Sequence, residues 1–419
     1  MINGIKASFA SLYWAWVLIP MSMCIGTLSA LFIVCLEGVT RLRFAEPWLL
    51  WFLPAAGVLM VWFYERYGKD AERGNQLLWD EIHQPMGQVP IRMVPLVFVG
   101  TLLTHLCGGS AGREGTALQM GGGVAAWFAR VFVRDSRFSS MLLVCGLAAG
   151  FGAVFGTAVA GSVFAVEVLG VGRLRYRVWI YAYAASWMAD WVCEHGWGVK
   201  HQVYQVFVKG LSFHQEVWLV LKVGLCAVAF ALAARGFSAG LPWFQRWFAR
   251  LVPVSWCRPF IGGLCVIALC WCVGHRDYLG LGEIAERADS VTISSFFMRL
   301  VDTEYSFLWK AIFTIVTLGV GFKGGEVTPL FFIGAALGNA LAGVLGAPLD
   351  LFAALGMISV FAGATHAPLA SIILGMELFG FDHAWLYVIS VVVVYLLSGN
   401  RGIYSAQRVY GSKWVYRLE

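Results

Sequence analysis

Apolar residues run through this chain in long blocks free of charge. Residues 7–36, 93–112, 138–166, 327–349 and 383–400 contain no Asp, Glu, Lys or Arg. A helix needs about 20 apolar residues to cross the hydrocarbon of a bilayer. Several blocks match that length, and others are longer or broken by Gly and Pro, which membrane helices tolerate where neighbours satisfy the freed backbone. The pattern predicts about ten crossings together with shorter, partly inserted helices. The run after Lys6 is too long for a signal-peptide core and lacks a convincing cleavage site, so it predicts a retained first helix.

Composition strengthens this picture. With 59% hydrophobic and only 13% charged residues in 419, a soluble domain could not hide its apolar surface. The expected fold class is an all-α polytopic membrane protein, in a single transmembrane domain over 1–419. No long polar segment is present to make an appended soluble domain. The net charge of +6 has a simple source in loop Arg and Lys. Arg173, Arg175 and Arg177 are candidate markers of a cytoplasmic loop, as are Arg41, Arg43, Arg66 and Arg73, and charge counting leaves orientation open. Of the ten Cys only Cys270 and Cys272 lie close together. Their spacing fits no metal site and predicts buried small hydrophobes.

Two polar segments stand out against this background. Gly112-Arg113-Glu114-Gly115-Thr116-Ala117-Leu118 and Gly324-Gly325-Glu326-Val327-Thr328-Pro329-Leu330 each place an acid and a Thr behind a Gly-rich turn, ahead of a helix-compatible run. A second pair follows in the same order. Gly146–Phe151 leads to Ala160, Glu167 and Gly170, and Gly356–Phe361 leads to Ala370, Glu377 and Gly380 at the same spacing. Two ordered sets predict a tandem structural repeat, with approximate halves 10–205 and 210–412. In a membrane protein such halves are commonly related by a pseudo-two-fold axis, with the substrate site between them near the midplane. The Arg-rich stretch 235–258, with Pro242 and Pro253, reads as lying near the junction after the first half. The polar stretch from His275 to Glu304 reads as an aqueous loop with short helices.

Carboxylates in apolar sequence are costly, so each is satisfied by donors, protonated or part of a transport route. Glu167 and Glu377 sit at equivalent helix ends, which suits a repeated hydrogen-bonding role. Glu326 reads as a loop-stabilising group, and His105 and His366 as satisfied bundle residues. Glu114 differs, because Gly112 and Gly115 permit close backbone approach and the following helix start attracts an anion. A carboxylate there can occupy an anion site and leave it when protonated. From the residues alone, Asn75 also reads as a helix cap, Thr328 as bonding its own helix, and Tyr404 as an interfacial aromatic. Gly319, Gly321 and Gly324 match a dinucleotide fingerprint formally but lack the βαβ setting. No His-Glu-x-x-His pattern or paired catalytic acids support a membrane hydrolase.

Gly112–Gly115 resembles the Gly-Arg-Glu-Gly signature of the CLC family of chloride channels and proton-coupled anion exchangers. Gly324–Pro329 resembles that family's second ion-binding loop, Gly399–Ala406 the segment bearing its ion-coordinating Tyr, and Gly74-Asn75-Gln76 its first ion loop. The resemblance runs from about residue 10 to residue 412. It implies a CLC-type fold of two inverted repeats with broken and re-entrant helices. It also implies a multi-pass protein of the plasma membrane, a bacterial inner membrane, working as a homodimer with one anion pathway per subunit. The departures are informative. Asn75 stands where chloride-selective members usually have Ser, Thr328 where they have a small apolar residue, and Thr116 where the signature has Pro. Val168 replaces the second acid of many chloride/proton exchangers. This combination resembles the fluoride-exporting branch, whose small, strongly hydrated anion needs added donors.

The resemblance implies a secondary transporter, not an enzyme, that exchanges fluoride for protons. Glu114 would gate and couple, and Asn75, Thr328 and Tyr404, with backbone N–H groups near Gly115 and Val327, would bind the anion. Gly74, Gly112, Arg113, Thr116, Gly324, Gly325 and Pro329 would shape the loops. No metal, nucleic acid or organic cofactor is implied; the partners are fluoride or chloride, protons and lipid. The alternatives are a chloride/proton antiporter and a passive anion channel of the same fold.

Overall fold

The computed structural model describes residues 2–419 except 134, 172, 175, 209–212, 302–304, 411–412, 414–416 and 419. Arg175, Glu304 and part of the expected junction between the halves therefore lie outside the described residues. Regular structure is almost wholly helical. The first half carries α1 Ile2–Ala45, α2 Leu53–Phe63, α3 Asn75–His83, α4 Met93–Leu106, α5 Glu114–Phe132, α6 Ser136–Phe155, α7 Ala158–Glu167 and α8 Tyr176–Trp191. The second carries α9 Phe213–Leu251, α10 Cys257–Val273, α11 Ile293–Met298, α12 Ser306–Gly319, α13 Val327–Leu345, α14 Leu349–Thr365, α15 Pro368–Phe379 and α16 Ala384–Leu397. Two short parallel strand pairs, Gly170–Val171 with Arg408–Val409 and Arg173–Leu174 with Arg417–Leu418, tie the end of α7 to the C-terminal segment.

Among the described residues, five helical stretches are long and apolar enough to cross a membrane alone, and other apolar helices have only 10–17 residues. The charge-free blocks break where the backbone changes hand. Block 138–166 becomes two helices because α6 ends at Gly156, whose φ is 71°. In the second half α14 ends at His366 in the same left-handed region, at φ 56°, and Pro368 starts α15 from its first turn. Such breaks are what put helix ends, with their unpaired N–H groups, inside the protein.

Packing repeats the same symmetry. Helix α5 lies on α6 and α13 on α14, each pair held close by glycines. A Cβ on Gly121 would stand 2.2 Å from the Gly146 carbonyl oxygen, and one on Gly334 2.2 Å from that of Gly356. Close approach of small residues is how helices associate where lipid removes the hydrophobic drive between them. We expect Gly334→Ala to destabilise the protein by about 1–3 kcal/mol through overpacking. Thermal unfolding followed by Trp fluorescence in detergent checks this; Gly236→Ala, where a Cβ meets nothing within 4 Å, should leave the transition nearly unmoved. Large apolar side chains such as Trp16, Leu31, Trp187, Leu225, Leu232 and Trp271 point outward, as lipid contact requires.

The Arg-rich stretch 235–258 is largely helix: residues 235–251 form the C-terminal part of α9, which passes through Pro242. Two expectations are corrected. The polar stretch after Gly274 is not simply aqueous: Tyr278, Leu279 and Leu281 are buried in it. Lys310 Nζ donates to its Tyr278 and Gly280 carbonyls at 3.0 and 2.7 Å. The cysteines divide: Cys107, Cys145, Cys193, Cys226 and Cys270 are buried, whereas Cys24, Cys265 and Cys272 are exposed on apolar helices, and all are free.

Candidate functional site

The two Gly–acid–Thr segments meet face to face. The Gly112 N–H donates to the Gly325 carbonyl at 2.6 Å, and the Gly325 N–H donates to that of Gly112 at 2.8 Å. This antiparallel bridge tolerates no side chain, since a Cβ on Gly325 would lie 2.6 Å from the Gly115 nitrogen. It brings the N-termini of α5 and α13 together at the centre of the protein, where their N–H groups point at a common space.

Glu114 fills that space. Its side chain is fully buried and holds three donors. Oε2 accepts the Arg113 N–H at 3.1 Å and the Thr328 N–H at 3.0 Å, and Oε1 accepts the Thr328 hydroxyl. Thr328 therefore spends its hydroxyl on the acid of the other repeat, not on its own helix. The Glu114 carboxylate sits at the start of α13, which begins at Val327, a position where charge-assisted bonds are strong.

Asn75 lies beside this locus. It is the first residue of α3, behind Gly74 at φ 54°, and no side chain caps that helix, so the capping role does not hold. Its Nδ2 would stand 3.6 Å from a Cβ on Gly115, while its Oδ1 is buried without a hydrogen-bond partner. Tyr404 is not interfacial. Its ring is buried and stacks on Trp79 with centroids 5.0 Å apart, and its hydroxyl is buried and unpartnered. Asn75, Gly115, Val327 and Thr328 thus gather around Glu114. Tyr404 makes no hydrogen bond to them.

What joins Tyr404 to the rest is a run of phenylalanines that the sequence reading missed. Phe331, one turn past Thr328, packs on Phe155 and Phe361 at 5.4 and 5.2 Å; Phe361 stacks on Phe164 at 5.7 Å, and Phe164 meets the Tyr404 ring at 6.3 Å. Phe151 and Phe361, equivalent residues of the two repeats, stack on each other at 6.4 Å. That equivalence was the one signal that could have found them. Gln119 was also missed; its amide nitrogen would lie 3.2 Å from a Cβ on Gly74, next to the first ion loop.

The remaining acids and loop residues sort clearly. Glu167 accepts the Leu369 and Ala370 N–H groups at 3.0 and 2.8 Å, and Glu377 accepts those of Val159 and Ala160 at 3.0 and 2.7 Å. Each acid thus caps a helix of the other repeat, as its position suggested. Glu326 precedes α13 without a side-chain cap bond. Pro329 packs against the bridge: its Cδ would lie 2.9 Å from a Cβ on Gly112, and a Cβ on Gly324 would meet Ala111 at 2.4 Å. Thr116 shares a 2.6 Å hydroxyl contact with Thr101. Arg113 pairs with Glu283 at 3.2 Å. Val168 is buried, an apolar residue at the end of α7. His105 and His366 are buried bundle residues, each with a backbone polar group beside its ring, that of Gly112 and that of Arg401.

Comparison with known proteins agrees with this geometry. The voltage gated chloride channel family, as a sequence model, matches residues 56–399. A chloride/fluoride channel protein of Pseudomonas syringae pv. tomato is 42% identical over 388 residues, 93% of this chain and 84% of its own. An H(+)/Cl(−) exchange transporter of Yersinia pestis is 27% identical over 302 residues, covering 68% of this chain and 61% of its own. Among solved structures, a CLC-type fluoride/proton antiporter superposes with a TM-score of 0.89 at 32% identity, covering 96% of this chain and 99% of its own. A slow cyanobacterial Cl−/H+ antiporter shares the fold, with a TM-score of 0.77 at 19% identity over 94% and 96% of the two chains. From the family match across most of its length and the all-α fold around the paired Gly–acid–Thr loops, this chain belongs to the CLC family of voltage-gated chloride channels.

Proposed function

We propose that this protein is a fluoride/proton antiporter of a bacterial inner membrane, a secondary transporter that lowers cytoplasmic fluoride. One observation carries the reading. The Glu114 carboxylate takes up the N–H and hydroxyl of Thr328, the donors a dehydrated anion would need. An ionised Glu114 and fluoride compete for the same donors; a protonated Glu114 is a poor rival and turns aside. Anion entry is thereby linked to proton uptake by one side chain. Thr328 and the Val327 and Gly115 backbone supply the fixed donors in this scheme. The free hydroxyl of Tyr404 and the amide of Asn75 add donors along the anion route. The relatives whose names include fluoride support this branch over the chloride exchangers, as does apolar Val168.

The same reading makes the chain one transport domain of two halves, 10–205 and 210–412, working as a homodimer. Basic side chains support an orientation. Arg246, Arg258 and Arg401 line two cavities that share Gln245 near the end of α9. By the positive-inside rule that face is cytoplasmic.

Competing efflux from liposomes tests the reading. Vesicles loaded with equal fluoride and chloride are expected to release fluoride first and to take up protons as they do. Preferential chloride release would replace fluoride with chloride as the substrate, and anion release without proton movement would make the protein a channel.

A further inference from the structure

Between the C-terminal part of α1 and the segments 197–202 and 281–284, a vestibule of about 410 Å³ opens beside Arg113, with Glu37, Lys200, His201 and Glu283 among its lining. Arg113 immediately precedes Glu114, yet it gives that carboxylate only its backbone N–H. Its guanidinium turns instead to Glu283, with Nη1 3.2 Å from Oε2 and the two side chains only 11% and 7% exposed. The Arg113 Nε is buried and has no partner. A guanidinium carries five N–H donors, so this one keeps unused capacity for an anion, one residue from the coupling carboxylate.

Glu283 is held in place by the segment that leads to it. The segment before it is tied to α12 by Lys310, whose Nζ bonds the Tyr278 and Gly280 carbonyls. It is tied to the turn between α4 and α5 by the Gly280 N–H, which donates to Gly109 at 3.1 Å. At Gly282, the residue immediately before Glu283, the carbonyl accepts the Ile293 N–H at 2.8 Å. Burying an ion pair costs desolvation that its own attraction repays only partly, so stability alone is a weak reason for this construction. The electrostatics give a better one. Without Glu283, Arg113 is a desolvated cation between the vestibule and the Glu114 position, and an anion from the vestibule would land on it.

We propose that Glu283 is a positioning residue for transport: it neutralises and holds the Arg113 guanidinium, so that anions cannot reach the Glu114 position from the vestibule without the coupling step. The inference rests on the reading of Glu114 as the moving carboxylate. Glu283→Gln removes the charge while keeping the shape. It is expected to raise passive chloride flux through reconstituted protein about tenfold, the scale of one lost close charge pair, and to lower the protons moved per fluoride several-fold. Glu283→Asp, which keeps the charge, is expected to stay within about twofold of wild type. The double variant Arg113→Met with Glu283→Gln removes the cation as well and is expected to abolish the leak. A merely structural role for Glu283 would lower the melting temperature without moving the proton-to-anion ratio.

A Glu283→Gln protein with wild-type coupling and leak overturns the proposal. So does a leak that persists in the double variant, or, should Glu283→Gln fail to fold, a leak of full size in Glu283→Asp. Absence of fluoride-driven proton movement in the wild-type protein would instead overturn the transport reading itself, and the two failures are told apart by that control.

Discussion

Glu114→Gln is expected to reduce fluoride-driven proton movement to the background of empty liposomes. The amide keeps the size of the side chain; of the two carboxylate oxygens that now accept the Thr328 N–H and hydroxyl separately, it retains one as an acceptor and replaces the other with an NH2 donor. It cannot bind and release a proton across the working pH range, so the step that frees the anion donors is gone. The expected loss is complete for proton flux. It is not complete for anions as a class, because a neutral side chain competes less well for donors than an ionised one. The check is simultaneous recording of proton and fluoride movement in vesicles, with chloride flux as a second channel. Proton uptake at even a tenth of the wild-type rate would show that another group carries the proton.

Thr328→Val is expected to weaken fluoride binding about 10- to 100-fold, the value of one hydrogen bond to a charged partner. Valine matches threonine in shape, and the backbone N–H at 328 remains, so the change isolates the hydroxyl. Chloride is larger and less strongly hydrated, and should lose less. The fluoride-to-chloride preference therefore falls, which is a sharper readout than the rate. Thr328→Ser, which retains the hydroxyl, is expected to keep most of the preference. Equal losses for both anions would assign Thr328 to loop structure and not to selection.

Both experiments concern residues that the sequence exposed, and the reason is physical. Where a Cβ would collide with another backbone, as one on Gly325 would at 2.6 Å from the Gly115 nitrogen, only glycine fits, and a buried acid beside it has few innocent explanations. Glycine clusters around carboxylates therefore remain visible against a lipid-phase composition. Their direct meeting was not visible, because no local pattern records which turn faces which. The phenylalanines from Phe331 to Phe164 carry no such mark, since Phe is ordinary in a chain this apolar. Glu283 was hidden for the opposite reason, lying in a polar stretch where an acid attracts no notice. Pro242 and the Arg residues around it did not mark the 235–251 stretch as helix, because membrane helices accept proline and Arg side chains snorkel from helix ends; here Arg246 Nε folds back to donate to the Pro242 carbonyl at 3.0 Å.

The crossed caps of Glu167 and Glu377 bear on how this protein is made. The N-terminus of α7 is completed by an acid that lies 218 and 217 positions further along the chain, through the Val159 and Ala160 N–H groups. While the ribosome is still translating, that helix end has no partner, and the first half waits in the bilayer with buried N–H groups unpaired. Neither half is a self-sufficient product. A gene divided between α8 and α9 should give two fragments that assemble when synthesised together and are degraded when synthesised apart.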